Sequence, residues 1–232
     1  MFYCDKCGLC CRKVYKSEMY QHLDRGDGIC YYLDEKNNLC TIYDDRPWIC
    51  NVDIMYEKMF FDSGSKEEYY LQNYYACNCL KMEERKMSDI RSALVEKFKD
   101  IFGYDCGDDY APRVSNARSI ICQGKYKKEE MIEIFDTSIG SNGKSGLVLT
   151  VDSVCVKDAG NFTSKFIAKY SDIDYTYMDE DRFLGMDMTA LVLVMKYGSN
   201  YKISIDKFDK DDMMSFIDYA ISLYAEEDKL EW

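Results

Sequence analysis

The chain has 232 residues, 47% of them hydrophobic, and carries a formal charge of −12 from 30 Lys and Arg against 42 Asp and Glu. That length allows one large or two small domains with cores of their own. The charge disfavours nucleic acid as a general partner and anionic lipid as a docking surface, and no apolar run approaches the roughly 20 residues of a transmembrane segment, the nearest being the short stretch 190–195.

The first eleven residues read Cys4-x-x-Cys7-x-x-Cys10-Cys11, and Cys30, Cys40, Cys50, Cys77 and Cys79 follow, so nine of the 12 cysteines precede residue 80. Met1-Phe2-Tyr3 enters the first cysteine with no basic stretch, apolar segment or cleavage site, and the expected location is cytoplasmic. Clustered thiols in a reducing compartment hold metal more often than they form disulfides. Two residues between cysteines let a tight turn direct both sulfurs at one ion. Adjacent Cys10 and Cys11 point to opposite sides of an extended chain and serve two metals more readily than one.

Eight thiolates complete two tetrahedral sites, and the nine candidates Cys4, Cys7, Cys10, Cys11, Cys30, Cys40, Cys50, Cys77 and Cys79 supply them with one spare, at Cys77 or Cys79. Zn2+ is the expected cofactor; iron or an iron–sulfur cluster is the alternative, since all-thiolate sites suit both. His22, the single histidine, lies among Met19, Tyr20 and Leu23 and reads as structural. Lys6, Arg12, Lys13 and Arg46 lie close to ligands in sequence, and Arg12 and Arg46 are the expected donors to sulfur lone pairs. Pro47 fixes its own φ and keeps Arg46 out of helix, so Cys50 is presented from a constrained turn.

Between Cys50 and Cys77, the aromatic segments 55–61 and 69–75 show helical spacing and read as core. From Ser88, a good N-cap, Ile90, Leu94, Phe98 and Phe102 repeat at four-residue steps until Gly103, which predicts an amphipathic helix. Gly107-Asp-Asp followed by Pro112 marks a linker, which divides the chain into a cysteine domain with its trailing helix, 1–105, and a second domain, 116–232.

The second domain reads as strands at 131–135, 146–151, 154–157, 166–170, 173–177, 189–196 and 201–205, with turns at Ser141-Asn-Gly-Lys144, Asp158-Ala-Gly-Asn161 and Tyr197-Gly-Ser-Asn200. Asp209 then caps a helix running to about residue 228, with Met213, Ile217, Ala220, Ile221 and Tyr224 on one face. Cys122 and Cys155 sit in apolar segments as small core residues, and Cys106 is an isolated thiol. The basic run Lys125, Lys127, Lys128 faces an acidic stretch at Asp172, Asp174, Asp179, Glu180 and Asp181, which argues against lipid binding.

Cys4-Asp-Lys-Cys7-Gly-Leu-Cys10-Cys11-Arg12, Gly28-Ile-Cys30-Tyr-Tyr-Leu33 and Cys40-Thr-Ile-Tyr43-Asp-Asp-Arg46-Pro47-Trp-Ile-Cys50 resemble the YkgJ-type cysteine-cluster family over about residues 1–82. That resemblance implies zinc or iron chelation and supplies no settled reaction. The strand order, and the hairpin from Asp136 to Thr150, resemble bacterial PH-like domains over about 118–228, which implies a binding or assembly module. The expected fold is therefore α+β: a small irregular metal-stabilised cysteine domain with helices, then a PH-like antiparallel β-barrel with a C-terminal helix.

The leading functional expectation is a metal-binding protein whose second domain engages another protein. A metal- or iron–sulfur-dependent enzyme of methyl or electron transfer is the alternative, since flagellin lysine methylases carry a related cysteine signature. Against it, the chain has no glycine-rich phosphate loop and no histidine-based nucleophile system. An immunity or defence factor that meets a basic target is the third reading.

Overall fold

The computed structural model describes residues 1–158, 165–183 and 186–225, without the side chains of 181–183 and 186–188. The chain divides into two compact units, Met1–Lys86 and Met87–Trp232.

Short pieces build the first unit. Three 3-10 turns, Cys10–Arg12, Val14–Lys16 and Glu18–Leu23, precede an antiparallel pair, β1 (Leu33–Asp34) and β2 (Leu39–Cys40), with Leu33 opposite Cys40. A further 3-10 turn, Trp48–Cys50, leads into α1 (Val52–Met55). Asn51 Oδ1 caps α1 by accepting from Asp53 N–H at 3.1 Å and Ile54 N–H at 3.4 Å, and a π-helical turn, Tyr56–Phe60, follows. The apolar cluster here is small: Val14, Leu23, Cys30 and Ile49 are buried together, with Cys11, Tyr20 and Cys50 packed against them.

The long helix α2 (Lys66–Phe102) begins at a reciprocal cap. Ser65 Oγ accepts from Glu68 N–H at 3.2 Å, and Glu68 Oε2 accepts from Ser65 N–H at 3.1 Å. Ser88, the expected start, lies in mid-helix, because the aromatic 69–75 segment and the 90–102 repeat form one continuous element. Gly103, at φ +77°, ends it. Ile90, Leu94 and Phe98 are buried as their spacing requires.

In the second unit, α3 (Ala111–Asn116) and a π-helical turn, Ala117–Ile121, precede the strands. β3 (Met131–Asp136), β4 (Gly146–Thr150), β5 (Ser153–Lys157) and β6 (Lys165–Lys169) form one antiparallel sheet in sequential order. β7 (Ile173–Phe183), β8 (Met186–Met195) and β9 (Tyr201–Ile203) form another. All seven expected strands are present, and the fold is mixed α and β. The expected closed barrel is not: both sheets are open among the described residues. A barrel needs its end strands to pair, whereas a 3-10 turn at Tyr170–Asp172 carries the chain out of the first sheet after β6, anchored by the fully buried Tyr170 ring.

One face of the first sheet shares a core with the second sheet, with residues 90–98 of α2 and with α4 (Lys210–Ala225), including Leu147, Leu149, Leu191, Leu193, Phe98 and Phe216. Its other face packs Val148 and Cys155 against Val114, Ala117 and Ile121. Cys122 and Cys155 are both fully buried. Asp209 Oδ1 caps α4, accepting from Asp211 N–H at 2.9 Å and Asp212 N–H at 3.1 Å. The expected end of this helix near 228, and the turn after Asp158, lie outside the described residues. No helix among the described residues is long and apolar enough to cross a membrane.

The turn between β3 and β4 depends on Gly143, whose φ is +74° and whose N–H donates to Asp136 Oδ2 at 2.9 Å. A Cβ there would lie 2.3 Å from the Arg113 carbonyl oxygen, a backbone atom that cannot swing aside. Gly143→Ala is expected to destabilise the second unit by about 2 kcal/mol, through both strain and collision. Urea denaturation checks this, and an unchanged midpoint would show that the turn does not make the close approach.

Candidate metal centre

Cysteines reach the first unit's centre from separate stretches. In the loop 4–10, Lys6 and Gly8 are both left-handed, at φ +56° and +74°, and the Leu9 N–H is directed at the Cys7 sulfur. A Cβ on Gly8 would stand 2.6 Å from the Asn38 carbonyl oxygen, so only glycine lets this loop approach the β1–β2 connection. Cys30 N–H donates to the Cys11 carbonyl at 2.8 Å, which fixes those two residues side by side. Cys40 comes from β2, and Cys50 from the end of its 3-10 turn. Cys77 and Cys79 both lie on α2, about 200° apart around its axis, so one ligating face takes only one of them.

Polar and aromatic ties hold the N-terminal loop in place. The Phe2 ring stacks on Tyr74 with centroids 4.5 Å apart, and Phe2 N–H donates to Asp53 Oδ2 at 3.0 Å. The Tyr70 hydroxyl donates to the same carboxylate. Lys13 and Lys16 both donate to Glu83 Oε2, at 2.7 and 2.9 Å, and Lys81 pairs with Asp5. Arg12 turns to the hairpin connection, with its Nη1 3.3 Å from Glu35 Oε2 and its Nε donating to Asn38 Oδ1 at 3.2 Å. His22 is exposed.

The thiols act on one another electrostatically. A side-chain hydrogen bond between Cys10 and Cys11 lowers the Cys10 thiol to about 7 and raises Cys11, which burial and the charges of Cys10, Cys30 and Cys40 push further up. Burial, then the charges of Cys30, Cys10 and Cys40, brings Cys50 up to about 11. Burial is also the main cause raising Cys7, Cys30 and Cys77, and Cys77 feels Cys10, Cys7 and Cys4 in addition. The charge of Cys10 thus acts on Cys7, Cys11, Cys30, Cys50 and Cys77, while Cys40 acts on Cys11, Cys30 and Cys50 and Cys4 on Cys77.

The opposing cations gather at Tyr43. Lys6 Nζ lies 4.2 Å and the Arg46 guanidinium 4.1 Å from its ring centroid, and burial, opposed by Arg46 and aided by Cys4, raises its hydroxyl pKa. The field of Arg46 favours the thiolate forms of Cys10 and Cys50. Arg46 Nε is buried and has no hydrogen-bond partner among the described residues.

All twelve cysteines are free thiols. Among the described residues no three His, Cys, Asp or Glu side chains are arranged so as to hold a metal ion. The donor set fits a thiolate-bound cation in its chemistry, with thiols that feel one another's charge pair by pair and an orphaned, buried guanidinium N–H beside Cys10 and Cys50. It does not form a closed coordination sphere. Of the predicted ligands, Cys4, Cys7, Cys10, Cys11, Cys30, Cys40, Cys50 and Cys77 belong to this neighbourhood. Tyr43, Asp53 and Glu83 escaped the sequence reading. Tyr43 had a local signal, an aromatic between Cys40 and Arg46; Asp53 and Glu83 had none, since their partners Phe2 and Lys13 lie 51 and 70 residues away. No protein family, curated protein or solved structure matches the chain, so the centre is read from its own geometry.

Hydrogen bonds from Lys13 and Lys16 hold the Glu83 carboxyl below its ordinary range, against a smaller opposing effect of burial. A depressed folded pKa gives stability that is present above the unfolded value of about 4.3 and disappears as pH falls through the lower folded value. Glu83→Gln is expected to cost up to about 1 kcal/mol at neutral pH, the pair being half exposed, and nothing once the wild-type carboxyl is protonated. Thermal denaturation between acidic and neutral pH checks this; a difference that persists undiminished at low pH contradicts it.

Proposed function

We propose that the first unit is a metal-binding cysteine cluster, with zinc the expected ion and iron the alternative, and that the second unit engages another protein. The observation that supports the first half is the electrostatic coupling of Cys10 with Cys7, Cys11, Cys30, Cys50 and Cys77, with the Arg46 Nε buried and unpartnered beside them. Cys4, Cys7, Cys10, Cys11, Cys30, Cys40, Cys50 and Cys77 would hold the metal, with Cys79 the spare. Saturated thiolate coordination leaves no open position and supplies folding free energy.

The chain's own residues prepare for that step. The Phe2, Asp5, Lys13 and Lys16 ties keep the 4–11 loop on α2. Arg46 offsets thiolate charge. Thiols that repel as anions at present spacing must be drawn together, so metal uptake and local ordering are one event. For the second half, β7 is an edge strand with Tyr175 and Tyr177 exposed, and its exposed acidic residue Asp174 suits a basic partner. An open edge of this kind accepts an extended segment as a further strand.

Elemental analysis of anaerobically purified protein is expected to find about two zinc or iron ions per chain, reduced in Cys10→Ser. A chelator is expected to raise amide hydrogen exchange across residues 4–50 while leaving β4 and β5 protected. A folded chain free of both metals, unchanged by the chelator, would overturn the reading.

A further inference from the structure

The geometry points to a binding site for a small zwitterion, a molecule of amino-acid size carrying an ammonium and a carboxylate, in a cavity of the second unit. The cavity measures about 250 Å³ and lies between Arg91 on α2, the 106–109 stretch and β3. This inference is independent of metal binding.

Five charged residues line it, and three of them, Asp108, Asp109 and Lys128, are already neutralised. Asp108 accepts from Arg113 Nη1 at 2.8 Å, and Asp109 pairs with the lining Lys128 at 3.0 Å. Arg91 and Glu133 differ. Neither forms an ion pair, with each other or with any other described residue, although both line the same space. Each is tethered by backbone instead. Arg91 Nε donates to the Glu129 carbonyl at 2.7 Å, and its two terminal nitrogens have no hydrogen-bond partner among the described residues. Glu133 is only 8% exposed; its Oε2 accepts from Gly107 N–H at 2.9 Å and its Oε1 from Ile134 N–H at 2.8 Å. Each carboxylate oxygen retains acceptor capacity.

A buried carboxylate with no cation in contact is costly, and burial indeed raises the Glu133 pKa. A ligand ammonium supplies the missing counter-ion, while a ligand carboxylate takes the free fork of Arg91. A simple anion is repelled by Glu133 and a simple cation by Arg91, so the pair selects a molecule bearing both charges. Val114, Met131 and Ile134, members of a buried apolar cluster, also line the cavity and favour an apolar body between the two ends. At about 30 Å³ per water-sized group, the volume takes roughly eight such groups, the scale of an ordinary amino acid.

Half-buried Cys106 shares the cavity and provides a reporter in the unaltered protein. Glycine, leucine and glutamate are the probes, with methylamine and acetate as half-ligands. At least one amino acid is expected to give a calorimetric binding isotherm at about 10 mM or below, and to slow iodoacetamide labelling of Cys106, read by peptide mass mapping. The half-ligands are expected to do neither. Arg91→Met and Glu133→Gln are each expected to weaken binding by about tenfold or more. Absence of both heat and protection with all three amino acids overturns the proposal, as does equal protection by methylamine or acetate, or undiminished binding in both variants. Because Glu133→Gln alters a buried position, Cys106 protection in the wild-type chain decides if that variant misfolds.

Discussion

Scarcity of apolar burial governs the first unit. Val14, Leu23, Cys30 and Ile49 make a cluster far smaller than the one beneath the sheets of the second unit. Each buried aliphatic side chain contributes about 1.5–3 kcal/mol, and ordering each backbone residue costs about 1–2 kcal/mol, so such a cluster cannot by itself hold an irregular chain. Small domains in this position rely on cross-links or ions. Here the non-apolar ties are visible one by one: the cap by Asn51, Phe2 on Tyr74, Asp53 between Phe2 and Tyr70, and Glu83 between Lys13 and Lys16. The thiols sit inside that frame, where burial disfavours their charged forms and one another's fields add to the effect.

The second unit solves the opposite problem. Its first sheet is covered on both faces, so β4 and most of β5 are buried without alternation and their polar groups must find partners inside. Thr150 Oγ1 donates to the Ser153 carbonyl at 2.9 Å and accepts from its N–H at 3.0 Å, the Tyr126 hydroxyl reaches Ser153 Oγ at 2.6 Å, and the Tyr170 hydroxyl reaches the Thr150 carbonyl at 3.3 Å. This satisfied network closes the tight β4–β5 turn within the core. Glu133, the one charged side chain buried among the described residues, accepts from two backbone N–H groups and meets no cation, which is why its surroundings carry functional meaning.

Much of this was legible in the residues because it is local. The four-residue repeat from Ile90 to Phe102, the seven strands and the Asp209 cap all depend on near neighbours. The barrel was an overreach of another kind. Strand number and a final helix are compatible with closed or open sheets, and the choice is made by pairings between strands distant in sequence. The start of α2 was misread because Ser88 and Ser65 are both good caps; Glu68, three residues after Ser65, completes the box that decides between them. Within the cysteine cluster, spacing named candidate donors, and helix geometry puts Cys77 and Cys79 on different faces of α2, whereas the ties through Asp53 and Glu83 left no trace in local pattern.

The meeting of Gly8 with Asn38 limits how this chain can vary in length. The loop between Cys7 and Cys10 touches the β1–β2 connection backbone to backbone, with Arg12 bridging to Glu35 and Asn38 across the same seam. Surface hairpins ordinarily absorb insertions and deletions freely. This one is a gauge block: adding or removing a residue between β1 and β2 would lift or drop the tip against the cysteine loop and shift its sulfurs, making an innocuous-looking hairpin among the least elastic parts of the molecule.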